Sequence, residues 1–309
     1  MSPEFAATLG LQRRLATGCA LLVLVVVAAS AYLRLGQAGF SCADWPACFG
    51  RIEINQQTLA LEPLVFWARV AHRLAAMGVA VLVLSLVVLG YRQRREDARS
   101  LRLALLALSL TLFLAVLGRW TPGTRVPAVT LGNLLSGFVL LAALWRLRAA
   151  PSDRRPAHPA RGLLLLCAVL LAGQVALGGM VSASFAGPSC PEFPGCGPQG
   201  LEVRAELFNP FRSIALDAAG VAERPAGLAG LVVAHRLLAL ILSVALLSLA
   251  WRFWQAPRPE RGLAVRLLVL VGLAYGLGVA TALTAPPLVL VFGHNFVAAL
   301  LVLTLADAA

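Results

Sequence analysis

The chain has 309 residues, 60% of them hydrophobic and only 13% charged, with a formal net charge of +12. That balance excludes a water-soluble globule, which needs far more polar surface, and points to an integral protein with several membrane spans and lipid around it. All of the positive charge is arginine, spread over short segments beside apolar runs, which argues against a nucleic-acid partner.

Apolar runs of about 20 residues or more, enough to cross a bilayer, fall at 15–35, 64–91, 102–120, 128–147, 162–185, 226–254, 264–284 and 287–308. The expected fold is an all-α polytopic membrane protein with eight transmembrane helices. The first run follows Arg13-Arg14 and has Ala28, Ala29 and Ala31 near its end, a layout shared with signal peptides. Its length, and its counterpart near 162–182, predict a helix that is retained. Arg92, Arg94, Arg95, Arg99 and Arg102 lie between the second and third runs. A further group (Arg146, Arg148, Arg154, Arg155 and Arg161) lies between the fourth and fifth, and Arg252, Arg258, Arg261 and Arg266 between the sixth and seventh. Arginine-rich loops stay in the cytoplasm. Both termini are therefore expected there, in a multi-pass protein of the bacterial inner membrane, with the intervening loops facing outward.

The two halves repeat. An offset of 148 places Cys19 on Cys167, Cys42 on Cys190 and Cys48 on Cys196, and aligns SCADWPAC (Ser41 to Cys48) with SCPEFPGC (Ser189 to Cys196). His72-Arg73 falls on His235-Arg236 at an offset of 163, and Gly132-Asn133 on Gly293-His294 at 161. The expected organisation is an N-terminal four-helix repeat at 1–147, a cytoplasmic linker at 148–161 and a C-terminal four-helix repeat at 162–309. Four spans return the chain to its starting side, so the repeats are parallel. The linker is polar and rich in proline, and His158 within it reads as a solvated side chain.

Each outward loop carries a cysteine pair around a proline, Pro46 or Pro194. A turn there brings the thiols close, and the compartment outside the cytoplasm lets disulfides persist. Cys42–Cys48 and Cys190–Cys196 are thus expected disulfides, either structural staples or redox-active pairs. Their spacing is neither that of a thioredoxin-like motif nor a usual zinc spacing. Cys19 and Cys167, inside apolar runs, read as packing residues. The loop at 197–225 is the longer of the two, and VRAELFNPFRSIALDAAG within it reads either as a short amphipathic helix on the membrane surface, capping a pocket, or as an ordinary loop.

A polar side chain inside a bilayer is costly and normally serves a function. His72, His235 and His294 all lie roughly 10–12 Å below the outer surface at 1.5 Å per residue. His235 and His294, on adjacent helices, suit the two axial positions of a low-spin heme iron. A zinc or copper site would want a third strong ligand at that level. The arginine after each HR histidine, Arg73 or Arg236, turns about 100° around the helix toward the reach of a propionate. In the first half Asn133 stands where a second ligand would be. Either His72 alone holds a heme with an open coordination position, or the half has no heme and Asn133 bonds across helices.

Eight spans in two repeats, the stretch YLRLGQAGFSCADWPACFG (Tyr32 to Gly50), the HR dipeptides of spans two and six and His294 in span eight resemble the heme A synthase family. The resemblance covers nearly the whole chain. It implies a membrane oxidoreductase that oxidises the C8 methyl of heme O to a formyl group, giving heme A for cytochrome c oxidase. It further implies heme B between His235 and His294, heme O as substrate at His72, and heme O synthase and oxidase assembly factors as partners. The cysteine pair Cys42 and Cys48 matches that of the family's first loop. Two positions depart: the second N-terminal histidine of the family is Asn133 here, and the glutamate three residues before the first HR histidine is Arg69. Glu62, ten residues before His72 and so about 15 Å away along a helix, cannot stand in for it. Asn133 and Arg69 would then shape a modified site in which charge and hydrogen bonding replace ligation. Two other functions compete with the enzyme. One is a non-catalytic b-type cytochrome or heme-handling assembly factor using only the C-terminal site. The other is a transporter, against which stands the lack of interrupted helices and intramembrane acids.

Overall fold

The computed structural model describes residues 3–39, 49–51, 57, 62–121, 124–149, 160–197, 202–256, 258–284 and 288–309. Eight helices are long and apolar enough to cross a membrane. They are α1 (Pro3–Ala38), α2 (Pro63–Arg92), α3 (Ala98–Gly118), α4 (Pro127–Arg146), α5 (Arg161–Ala183), α6 (Ala229–Gln255), α7 (Arg258–Leu283) and α8 (Leu288–Ala308). A chain crossing hydrocarbon must pair its backbone groups within itself, and a helix does so segment by segment. The protein is therefore an all-α, multi-pass membrane protein, as its composition requires.

Helix ends follow local chemistry. Pro63 and Pro127 open α2 and α4 after the extended residues Glu62 and Val126, a place where a missing N–H costs nothing. Asp97 caps α3 by accepting from the backbone N–H groups of Arg99 and Ser100, and from the Ser100 hydroxyl at 2.6 Å. α1 begins well before its apolar run. Leu9, Leu11, Gln12 and the two arginines are good helix formers, so hydropathy marks where the helix enters lipid and propensity marks where it begins.

Within the first half α1 packs on α2, α2 on α3, α3 on α4, and α4 returns to α1. α5 to α8 close in the same way, and the halves meet where α4 touches α5 and α8 and where α1 touches α8. Small residues let these helices approach. Cys19 and Cys167 are fully buried free thiols in the core, beside Ala16, Ala20 and Leu171, which agrees with a packing role. The outward-turned faces carry exposed Leu84, Val88, Val116, Val169 and Val244, a surface suited to lipid tails.

Polar ties join the halves at both ends. Toward the arginine-rich loops, Arg146 on α4 donates to the carbonyl of Ala306 near the end of α8 (3.2 Å), while Gln12 ties helices within the first half by donating to Ser100 and to the Leu147 carbonyl. At the opposite end, the cysteine-loop face, the chain after α5 crosses to the first half. Ile214 N–H donates to the Arg125 carbonyl, Ala128 N–H to Pro210 and Ala222 N–H to Gly50. Ala38, Phe49, Phe185, Ile214 and Ala222 form a small apolar cluster beneath. The described part of 202–228 contains a single 3-10 turn, Ala205–Phe208, and an isolated bridge between Leu216 and Ala222. The amphipathic-helix reading of this segment is thus replaced by a strap. Ile214, Leu216 and Ala222 pack with Ala38 and Phe49 of the first half, and Leu207 packs with Met180, Ala186 and Leu231 of the second.

Candidate functional site

His235 and His294 come together. Each lies six residues beyond the first residue of its helix, α6 or α8, about 9 Å along the axis from the cysteine-loop end. Their ring centroids are 6.3 Å apart and the ring planes make an angle of 74°. One metal ion bonded to a nitrogen of each ring at about 2 Å would place the centroids roughly 6 Å apart, so the spacing suits a metal ion shared by both imidazoles.

The two rings are prepared differently. Nδ1 of His294 lies 2.9 Å from the Ala274 carbonyl on α7. A carbonyl only accepts, so this nitrogen carries the proton and Nε2 keeps its lone pair. Nε2 of His235 lies 3.3 Å from the amide nitrogen of Gln174 on α5, while Nδ1 of His235 and Oε1 of Gln174 are buried without partners. Buried polar atoms left unpaired cost about 1–3 kcal/mol each. A bound group that takes up one imidazole nitrogen relieves part of that cost. Gln174 serves the ring as a donor through Nε2 or, turned over, as an acceptor through Oε1.

Backbone without side chains makes room for both rings. A Cβ on Gly178 of α5 would meet His235 Cε1 at 2.9 Å, and one on Gly278 of α7 would meet His294 Cε1 at 3.4 Å. Gly179 faces the other way, toward Leu131 of α4, so the Gly178-Gly179 pair lets α5 approach both halves.

A cavity of about 880 Å³ runs from the cysteine-loop face past the two histidines, which stand in its wall, to Leu246 and Leu301 deeper in the bundle. Its walls come from α5 to α8, with Leu134 and Phe138 of α4 and Phe49 added by the first half. Such a volume holds a large, mostly apolar ligand. Among the described residues no three His, Cys, Asp or Glu side chains converge as a metal site. A site offering only two imidazoles would suit an iron whose remaining ligands come from its own porphyrin. Heme therefore fits the residues present.

A disulfide joins Cys190 and Cys196, as the loop chemistry predicts. Residues of that loop (Pro191, Phe193, Pro194 and Gly195) line the end of the cavity. Arg236 also borders the cavity, yet its guanidinium donates to the loop: Nη1 to the carbonyls of Glu192 (2.8 Å), Pro194 (3.0 Å) and Gly195 (2.9 Å), and Nη2 to that of Cys190 (3.4 Å). Arg34 near the end of α1 donates to the Ser182 hydroxyl at the cavity wall.

The first half is arranged otherwise. His72 is half-buried on α2, nine residues beyond Pro63, with Arg69 half-buried one turn earlier and Arg73 exposed. Asn133 is half-buried on α4 and donates through Nδ2 to the Thr121 hydroxyl at 2.6 Å, which itself donates to the Leu117 carbonyl. The amide thus ties the start of α4 to the end of α3. No hydrogen bond or ring contact joins His72 to Asn133. Glu62 sits exposed just before α2, clear of the His72 level. Cys42, Cys48 and His158 lie outside the described residues.

Gln174, Gly178 and Gly278 belong to the site without having stood out in the sequence. Gln174 did carry a signal, being an uncharged polar side chain inside an apolar span. The glycines carried none, since only the fold says which ring each faces.

The chain matches the COX15-CtaA family, described as cytochrome oxidase assembly protein, over residues 13–306. It is similar to a heme A synthase of Shewanella oneidensis, 32% identical over 304 residues covering 91% of this chain and 91% of the relative. With both likenesses spanning nearly its whole length, this chain belongs to the heme A synthase family of cytochrome oxidase assembly proteins.

Proposed function

We propose that this protein oxidises the C8 methyl group of heme O to a formyl group, supplying heme A to cytochrome c oxidase, and that His235 and His294 hold a resident heme B. The observation that carries the proposal is the pair of imidazoles 6.3 Å apart in the wall of an apolar cavity. Bound there, heme B supplies a one-electron relay. The residues around it prepare that role. Ala274 fixes the His294 tautomer, Gln174 offers His235 a hydrogen bond, and the apolar walls exclude water. If water provides the formyl oxygen, each methyl gives up four electrons and four protons, which must leave to an acceptor outside the chain.

His72 is the substrate-side imidazole in this proposal, with Arg73 and Arg69 as nearby positive charges for propionates. Asn133 is occupied by Thr121, so heme O has one histidine ligand and an open position. The two halves are parallel repeats, 1–147 and 162–309, joined by the cytoplasmic segment 148–161. In support, the helix packing is unchanged when α1 to α4 are exchanged for α5 to α8. Arg34 and Ser182, 148 residues apart like the cysteine pairs, also meet between the halves. The arginine-rich loops and both termini face the cytoplasm of a bacterial inner membrane, and heme O synthase and oxidase assembly factors are the partners.

The bond between Asn133 and Thr121 favours a second reading, in which the first half is structural and the protein is a bis-histidine cytochrome or heme-handling assembly factor. Expression in a host that makes heme O but not heme A separates the two. A heme A peak among extracted pigments supports the enzyme. Heme B on the purified protein without heme A supports the second reading. A colourless protein with no Soret absorbance overturns both, and His294→Ala is expected to abolish the low-spin spectrum.

A further inference from the structure

The loop Cys190 to Cys196 forms the end wall of the cavity on the cysteine-loop face, and it is fastened twice. The disulfide closes the loop on itself, which limits its shape but does not attach it to the helices. Its hydrogen-bonded attachment comes from Arg236, beside the apolar cluster that Cys190 and Cys196 share with Leu228, Leu231 and Val232. One terminal nitrogen of its guanidinium lies within 3.0 Å of three loop carbonyls, those of Glu192, Pro194 and Gly195, and the other nitrogen reaches Cys190. The guanidinium carbon also lies 5.4 Å from the centroid of the Phe193 ring, within cation–π range. All four carbonyls belong to the segment that the disulfide closes, and they converge on this one guanidinium.

We infer that Arg236 is a latch, a positioning residue that holds the disulfide-bonded loop shut over the cavity and so governs how fast a bound tetrapyrrole enters and leaves. The inference rests on the proposed heme B site for its ligand, but the latch itself is a contact between a helix and a loop. It differs from a propionate anchor, because the donors point at main-chain carbonyls. It also links the two motifs of the second half. The cysteine pair shapes the acceptors, and the arginine that follows the ligand histidine provides the donor, so the cover is tied one residue from the ligand it protects.

Two measurements test it, on the full-length protein in detergent. Hydrogen–deuterium exchange across residues 187–197 is compared for the native protein, Arg236→Gln, Arg236→Lys and the double variant Cys190→Ser/Cys196→Ser. Heme loss to excess apomyoglobin is followed for the same set and for the triple combination with Arg236→Gln. The latch predicts faster exchange in the loop and heme loss roughly ten-fold quicker or more in Arg236→Gln, as expected for breaking hydrogen bonds to a charged donor. Arg236→Lys, whose ammonium has three N–H groups for three carbonyls, should stay within a few-fold of native. Arginine and cysteine changes should combine less than additively, since each undoes the same closure. Unchanged loop exchange in Arg236→Gln, or strictly additive effects on heme loss, overturns the latch. Should the native protein be purified without heme, the proposed cofactor fails, and the exchange comparison still decides the latch.

Discussion

Replacing Gly178 by alanine tests the geometry of the histidine pair with a single methyl group. The new Cβ would lie 2.9 Å from Cε1 of His235, several tenths of an ångström inside ordinary carbon–carbon contact at about 3.5–4.0 Å. His235 is wedged between α5 and the cavity, so relief means rotating the ring or separating α5 from α6. Overpacking of this kind costs about 1–3 kcal/mol. Each 1.4 kcal/mol is about ten-fold in an equilibrium constant, so heme affinity should fall roughly ten- to hundred-fold. Helix propensity works in the opposite direction, since alanine is favoured over glycine by about 1 kcal/mol in a helix. Loss of heme therefore cannot be ascribed to a weakened α5. Gly278→Ala is the internal control. Its Cβ would sit 3.4 Å from His294 Cε1, a displacement of a few tenths of an ångström at most, and heme content should stay near native. The assay is heme per protein by pyridine hemochromogen, with low-spin resonance spectra of the purified variants. Full occupancy and an unaltered spectrum in Gly178→Ala would refute the placement of His235 as a ligand packed against α5.

Asn133→His should exchange the bond to Thr121 for an imidazole on the substrate side and produce a second low-spin heme signal with a higher yield of heme A; no change in the spectrum counts against a weakened ligand site in the first half. Gln174→Leu removes the polar neighbour of His235 and should raise the midpoint potential of the proposed heme if the amide is turned so that Oε1 accepts from the imidazole N–H, a bond that makes a ligating imidazole more basic; redox titration with an unmoved midpoint refutes that role. Asp97→Ala deletes the cap of α3 and its bond to Ser100 and should cost about 1 kcal/mol, read as a lower Tm in detergent with the heme spectrum intact.

Much of the site was legible because a bilayer makes polarity informative. Inside apolar spans, His72, His235 and His294 stood out by their cost alone, and the disulfide Cys190–Cys196 followed from loop chemistry. Arg236 shows what the sequence alone leaves out. Its position after an intramembrane histidine suggests a propionate, and the fold adds four loop carbonyls to which Nη1 and Nη2 donate. Asn133 shows the same gap: its type says poor ligand, while only the structure supplies Thr121 as the partner that occupies it. In the strap at 202–228, mixed apolar and charged residues suit a surface helix equally well, and contacts with residues far away in sequence decide against it.

By itself the sequence determined the number of spans, the side on which arginine gathers and the residues too expensive to bury without purpose, because each follows from the free energy of moving one residue or one segment between water and lipid. The tertiary structure alone decided that His235 faces His294, that Gly178 and Gly278 clear their rings, that Gln174 stands beside one of them and that Arg236 fastens the loop. Those depend on how helices distant in sequence rotate against one another, which is set by the summed packing of many side chains.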